Sequence, residues 1–123
     1  MAGNNSRAQR IEQQMQRELS QLILRQVKDP RVGSVTITSV SLAADGGSAR
    51  IFFLPFGDRH TPEEVAAGLG SAAGFLRGEV ARQLGLRHAP RLEFIHDAGV
   101  ERAHQLSGLI DRARRQDRER GGE

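Results

Sequence analysis

Ser71-Ala72-Ala73-Gly74-Phe75-Leu76-Arg77 lies in the middle of a segment, Pro62 to Leu84, that otherwise reads as helix. Val65, Leu69, Ala72, Ala73, Leu76 and Val80 recur at three- and four-residue steps and so share one face. Gly68, Gly70, Gly74 and Gly78 interrupt the same run. Each interior glycine costs a helix about 1 kcal/mol relative to alanine. The segment therefore reads as two shorter helices meeting at Ala72-Ala73-Gly74, a corner where small residues let another backbone come close.

The helix before the corner has a clear start. Thr61 is a cap, Pro62 takes the first helical position and Glu64 completes a capping box. Gly85 closes the second helix. Pro90 then leads into Leu92-Glu93-Phe94-Ile95-His96, a strand of alternating character.

Upstream, Val35 to Leu42 is rich in β-branched residues and lacks a helical period, so it is a strand. Ala44-Asp45-Gly46-Gly47 is a hairpin turn, and Ala49 to Leu54 is the return strand, stopped by Pro55 and Gly57. Two strands joined so tightly are antiparallel. In front of them a long helix runs from Arg7 to about Val27, with Ala8, Ile11, Met15, Leu19, Leu22, Ile23 and Val27 as its apolar set. Asp29-Pro30-Arg31-Val32-Gly33 ends it. Val100, Ala103, Leu106, Leu109 and Ile110 are spaced for a last short helix packed on the domain.

The order is α-β-β-α-α-β with a C-terminal helix. It is an α+β, KH-like domain of the type with a helix in front, over residues 7–110. Residues 1–6 are expected to be a disordered start and 111–123 a flexible, charged tail. RNA-binding KH domains clamp the nucleic-acid backbone with a GXXG loop at this corner. Here the place is held by Ser71-Ala72-Ala73-Gly74, with one glycine. Gly74 also has a plainer explanation, tight packing of the helix pair on the sheet.

Composition narrows the functions open to the chain. Its 123 residues hold one modest core. There is no Cys, so disulfides and thiolate metal sites are excluded, and no Trp or Tyr, so base stacking is a minor theme. No apolar run could span a membrane and no signal peptide is evident, so a soluble, cytoplasmic protein is expected. The net charge is +3, and nearly every cation is arginine, with Lys28 the single lysine. Arginine makes planar, bidentate contacts with phosphate, although a base-composition bias of the genome also explains the ratio.

The cations cluster. Arg7, Arg10, Arg17, Arg25 and Lys28 fall within an arc of roughly 80° on the first helix, beside the apolar face. Such a stripe either touches a surface the domain lies against or is a solvated helix face. Residues 71–91 carry Arg77, Arg82, Arg87 and Arg91 against Glu79 alone. The expected RNA contacts are Arg7, Arg10, Arg17, Arg25, Lys28, Arg31, Arg77, Arg82 and Arg87, with Ser71, Ala72, Ala73 and Gly74 as the corner that RNA backbone approaches. Arg82 reads equally well as a solvated helix residue.

Catalysis has little support. His96 and Asp97 are adjacent on a strand and point to opposite faces, and His60, His88 and His104 are scattered. No metal-ligand spacing, nucleophile elbow or phosphate loop is present. No catalytic residue, metal or cofactor is expected. A third reading is a protein-binding adaptor that uses the sheet without RNA.

The chain resembles the bacterial ribosome-binding factor A family over about residues 7 to 110. The resemblance rests on Arg10-Ile11, Arg17-Glu18-Leu19, Lys28-Asp29-Pro30-Arg31 with Gly33, Val35-Thr36 and Ala49-Arg50-Ile51. It continues through Ala72-Ala73-Gly74-Phe75-Leu76-Arg77, Leu86-Arg87, Pro90-Arg91-Leu92, Phe94, Asp97 and Leu109-Ile110. The second strand and its exit, Ile51-Phe52-Phe53-Leu54-Pro55-Phe56, depart from the more polar family pattern. The resemblance implies an assembly factor, with no catalysis and no cofactor. It would bind the small (30S) ribosomal subunit and its 16S rRNA late in maturation, near the decoding centre. There it would assist processing of the rRNA 5′ end. It further implies a monomer when free, other assembly factors such as a GTPase as partners, and a link to growth in the cold.

Overall fold

In the computed structural model, residues 2–57 and 59–107 are described, with side chains from residue 6 onward. The elements are α1 (Ala2–Gln26), β1 (Val35–Leu42), β2 (Ser48–Pro55), α2 (Pro62–Ser71), α3 (Ala73–Leu84), β3 (Arg91–His96) and a final helix, α4, over 98–107. The sheet order is β1-β2-β3, with β1 and β2 antiparallel and β2 and β3 parallel. A parallel pair needs a long crossover, and the α2–α3 pair supplies it. The architecture is the expected KH-like α+β domain.

The hydrophobic core lies between the sheet and the helices. Met15, Leu19, Leu22 and Ile23 from α1, Val65 and Leu69 from α2, and Leu76 and Val80 from α3 meet Ile37, Val40, Ala49, Ile51, Phe53 and Leu92. The opposite sheet face is open, with Thr36, Ser41, Arg50, Arg91 and Glu93 exposed on it.

Helix α1 begins at Ala2, not Arg7, and ends at Gln26. Asn4, Asn5 and Ser6 are weak helix formers, but extending a helix already nucleated downstream is far cheaper than starting one. Two polar clamps dock α1 on β1. Gln16 Nε2 donates to the carbonyls of Ile37 and Thr38 at 3.0 and 3.4 Å, and the Leu42 amide donates to Glu12 Oε2 at 2.8 Å. The first clamp meets a β-bulge between Ile37 and Ser39, which the sequence pattern did not reveal. A bulge disrupts the ladder and leaves a residue unpaired, and Gln16 supplies the missing donor. The Thr38 hydroxyl closes the other side, donating to Asp97 Oδ2 at 2.6 Å.

The last helix departs from expectation. Its period is present, but Ala103 is exposed and Leu106 is 55% exposed. Only Val100 and Glu101 are half-buried. The helix is held at its start, where the Val100 amide donates to Asp97 Oδ1 at 3.2 Å and Glu101 pairs with His96. Leu109, Ile110 and the 111–123 tail lie outside the described residues.

Candidate nucleic-acid interface

The corner forms where the glycines and small residues put it. α2 stops at Ser71, Ala72 sits at φ −91°, ψ −2°, and α3 starts at Ala73. The Ala72 amide donates back to the Leu69 carbonyl at 3.1 Å, while its own carbonyl accepts from Leu76 at 3.0 Å. No side chain caps the first turn of α3. The capping box at Thr61 and Glu64 is formed, and Gly85 ends α3 in the left-handed conformation at φ +64°.

Which glycine packs tightly is a different matter. A Cβ built on Gly74 would meet nothing within 4 Å, and the same holds for Gly70 and Gly78. The explanation of Gly74 by tight packing is therefore wrong. The crowded position is Gly68, where a Cβ would lie 2.8 Å from Val32 Cγ2, 3.3 Å from Arg31 Cβ and 3.4 Å from Asp29 Cγ. That glycine lets the 29–33 loop lie against α2. At Gly74 the helix backbone is instead bare to the outside, beside Phe75, which is 47% exposed.

The 29–33 loop is stitched to the corner. Arg31 grips Asp29 with two hydrogen bonds, Nε to Oδ1 at 3.1 Å and Nη2 to Oδ2 at 2.7 Å. The same Nη2 donates to the Ser71 hydroxyl at 3.2 Å, and that hydroxyl donates to the Ala67 carbonyl at 3.1 Å. The Arg31 side-chain bonds, then its backbone amide, hold the Asp29 carboxyl down at about 2, and Asp29 in turn raises Arg31.

The expected contacts divide by what they already touch. Arg7, Arg10, Arg17, Arg25 and Lys28 are all exposed. The four arginines form a stripe some 27 Å long on α1, at about 1.5 Å per residue from 7 to 25, whereas Lys28 lies past the helix end at Gln26 and not on its arc. Glu12 faces away and holds the Leu42 amide, whereas Glu18 sits at the edge of the stripe beside Arg25. Arg25 lines a groove between α1 and α3 together with Arg82, Glu18 and Glu79. Arg82 is paired with Glu79 within α3. Arg87 is exposed in the loop before β3. Arg77 is half-buried, donating Nε to the Pro90 carbonyl at 3.1 Å and Nη2 to the Ala89 carbonyl at 3.0 Å. Its guanidinium therefore ties α3 to the loop that enters β3. Ser71 and Arg31 meet at the corner, whereas Arg77 points away from it toward that loop.

Among the described residues His96 and Asp97 turn to different partners. His96 pairs with Glu101, and Asp97 pairs with Thr38 on β1. Among the described residues no group of three His, Cys, Asp or Glu could hold a metal, and no helix is long and apolar enough to cross a membrane.

A family model, Ribosome-binding factor A, matches residues 7–110. A ribosome-binding factor A from Pseudomonas fluorescens Pf-5 is 50% identical over 124 residues, covering 98% of this chain and 92% of its own length. The crystal structure of ribosome-binding factor A from Thermus thermophilus superposes with a TM-score of 0.65 at 29% identity, covering 72% of this chain and 94% of the other. A homology model of Thermus thermophilus RbfA, fitted into a cryo-EM map of a 30S–RbfA complex, gives a TM-score of 0.60 at 30% identity, covering 72% of this chain and 92% of the other. This chain belongs to the ribosome-binding factor A family.

Proposed function

We propose that this protein binds the small ribosomal subunit through 16S rRNA, laying the cationic stripe of α1 and the α2–α3 corner on it. The observation that carries the reading is the stripe itself: four exposed arginines on one arc of α1, with exposed Lys28 just past its end. Cations in a row along a helix match a phosphate backbone, whose contacts supply affinity without reading sequence. The corner offers a second point of approach. Gly74 is open and the first turn of α3 has no side-chain cap, so a phosphate oxygen can approach the amides at the positive end of the helix.

The role we assign is an assembly factor of late small-subunit maturation that assists processing of the rRNA 5′ end and does no chemistry of its own. It acts in the cytoplasm as a monomer when free, alongside other assembly factors, a GTPase among them, and supports growth in the cold. Sedimentation with purified small subunits tests the binding. The wild type should co-sediment at low salt, and the Arg10→Glu/Arg17→Glu double variant should not. Equal co-sedimentation of both would remove the stripe from the interface. Cells lacking the protein should accumulate 16S rRNA with an unprocessed 5′ end.

A further inference from the structure

The outer face of α1 carries amides as well as cations. Gln13 and Gln21 are exposed, as Arg10, Arg17 and Arg25 are. In chain order they read Arg10, Gln13, Arg17, Gln21, Arg25, so guanidinium and amide alternate at steps of three or four residues. At about 100° per residue they share an arc of roughly 120°, and at about 1.5 Å per residue the row is roughly 22 Å long. No carboxylate falls inside that arc: Glu18 lies just past its Arg25 edge, and Glu12 is turned to β1. The glutamine that serves the fold is Gln16, which faces the β1 bulge. Helix α1 contains no aromatic residue.

We infer that α1 lies across the minor groove of an A-form RNA helix, with its arginines on phosphates and Gln13 and Gln21 on ribose 2′-hydroxyls. This rests on the RNA-binding reading given above and names the kind of RNA that the stripe takes. A single strand is gripped by stacking its bases on aromatic rings, and α1 offers none. An acidic protein surface would pair the arginines and leave the amides between them unused. An A-form helix uses both. Its major groove is too deep and narrow for side chains to read, whereas its minor groove is wide and shallow and shows 2′-hydroxyls between the phosphates. A 2′-hydroxyl both donates and accepts, and a glutamine amide meets it in either role. With side chains a helix is about 10–12 Å across, which suits a shallow surface and not a deep cleft.

Fluorescence anisotropy with three RNA probes tests this. They are a duplex of plain sequence, the same duplex with every ribose 2′-O-methylated, and a single strand with the same number of phosphates. Methylation keeps the A form and the charges but removes the hydroxyl donors. The wild type should bind the plain duplex more tightly than the single strand, and methylation should weaken it roughly 5- to 150-fold, the range two hydrogen bonds supply. Gln13→Ala/Gln21→Ala should bind the plain duplex more weakly by the same factor and be indifferent to methylation. Its salt slope should match wild type, since no cation is lost. Its melting temperature should not fall, because alanine is the better helix former. A single strand bound as tightly as the duplex, or a methylation effect that survives in the glutamine variant, overturns the inference. So does a wild type that sediments with small subunits yet binds no duplex, which would mean a protein contact. If Arg10→Glu/Arg17→Glu stops sedimenting while the glutamine variant binds every probe like wild type, the stripe reading stands and the minor-groove assignment falls. If the wild type itself does not sediment, the broader reading falls first.

Discussion

Adding one methyl group to Gly68 should unfold the protein more easily, while the same change at Gly78 should make it harder to unfold. Both are helix positions, so alanine gains about 1 kcal/mol of helix propensity at each. At Gly78 nothing lies within 4 Å of the new Cβ, and that gain stands alone. At Gly68 the Cβ falls 2.8 Å from Val32 Cγ2. A comfortable carbon contact is about 3.5–4.0 Å, so Val32 must retreat by close to 1 Å. Val32 is 3% exposed and β-branched, so it is stiff at χ1 and has little room to turn aside. Its loop cannot slide freely either, because Arg31 ties it to both Asp29 and Ser71. Overpacking of this kind costs about 2–3 kcal/mol, the upper part of the usual range. Less the propensity gain, Gly68→Ala should lose about 1–2 kcal/mol. For a domain of this size that lowers Tm by roughly 5–15 °C, whereas Gly78→Ala raises it by roughly 4–8 °C. Urea melts of the two variants beside wild type give both signs in one experiment. A Gly68→Ala variant as stable as wild type would refute the claim that this glycine seats the loop.

Other consequences follow from the hydrogen bonds. Arg77→Ala leaves the Pro90 and Ala89 carbonyls without their donor and should cost about 1–3 kcal/mol in a urea melt, since bonds from charged donors are the stronger kind. Gly74→Val should leave the melt near wild type, because its Cβ meets open space, yet weaken co-sedimentation with small subunits by filling the bare corner. The Asp29 carboxyl should titrate at about 2 by carbon NMR, and move up toward 3.8 in Arg31→Ala. Its folded value is depressed, so its stabilisation is full above 3.8 and fades as pH falls through 2; at neutral pH the Asp29–Arg31 clamp is intact.

Local signals in the sequence carried well. The capping box, the hairpin glycines, the corner at Ala72 and the closing Gly85 each depend on residues a few places apart, and each stands where the pattern put it. What failed was non-local. Gly68 and Gly74 look alike in sequence, and only the return of the 29–33 loop makes one crowded and leaves the other bare. Arg31 and Arg77 read as free cations, yet Arg31 is held by Asp29 two residues back and by Ser71 40 residues on, and Arg77 by the Pro90 carbonyl 13 residues on. The period of the last helix promised a buried face, but a period says that an apolar face exists, not that a partner covers it. Phe56 was visible as a departure from the family pattern; its exposure was not, because alternation along β2 stops at Pro55.

Salt dependence of subunit binding tests the central claim most directly. If the α1 stripe neutralises phosphates, log Kobs should fall linearly with log[salt], and Arg10→Glu/Arg17→Glu should flatten the slope by roughly 1.4–1.8, at about 0.7–0.9 per phosphate lost. A wild-type affinity indifferent to salt, or a double variant with the wild-type slope, would contradict an RNA-backbone interface on this helix.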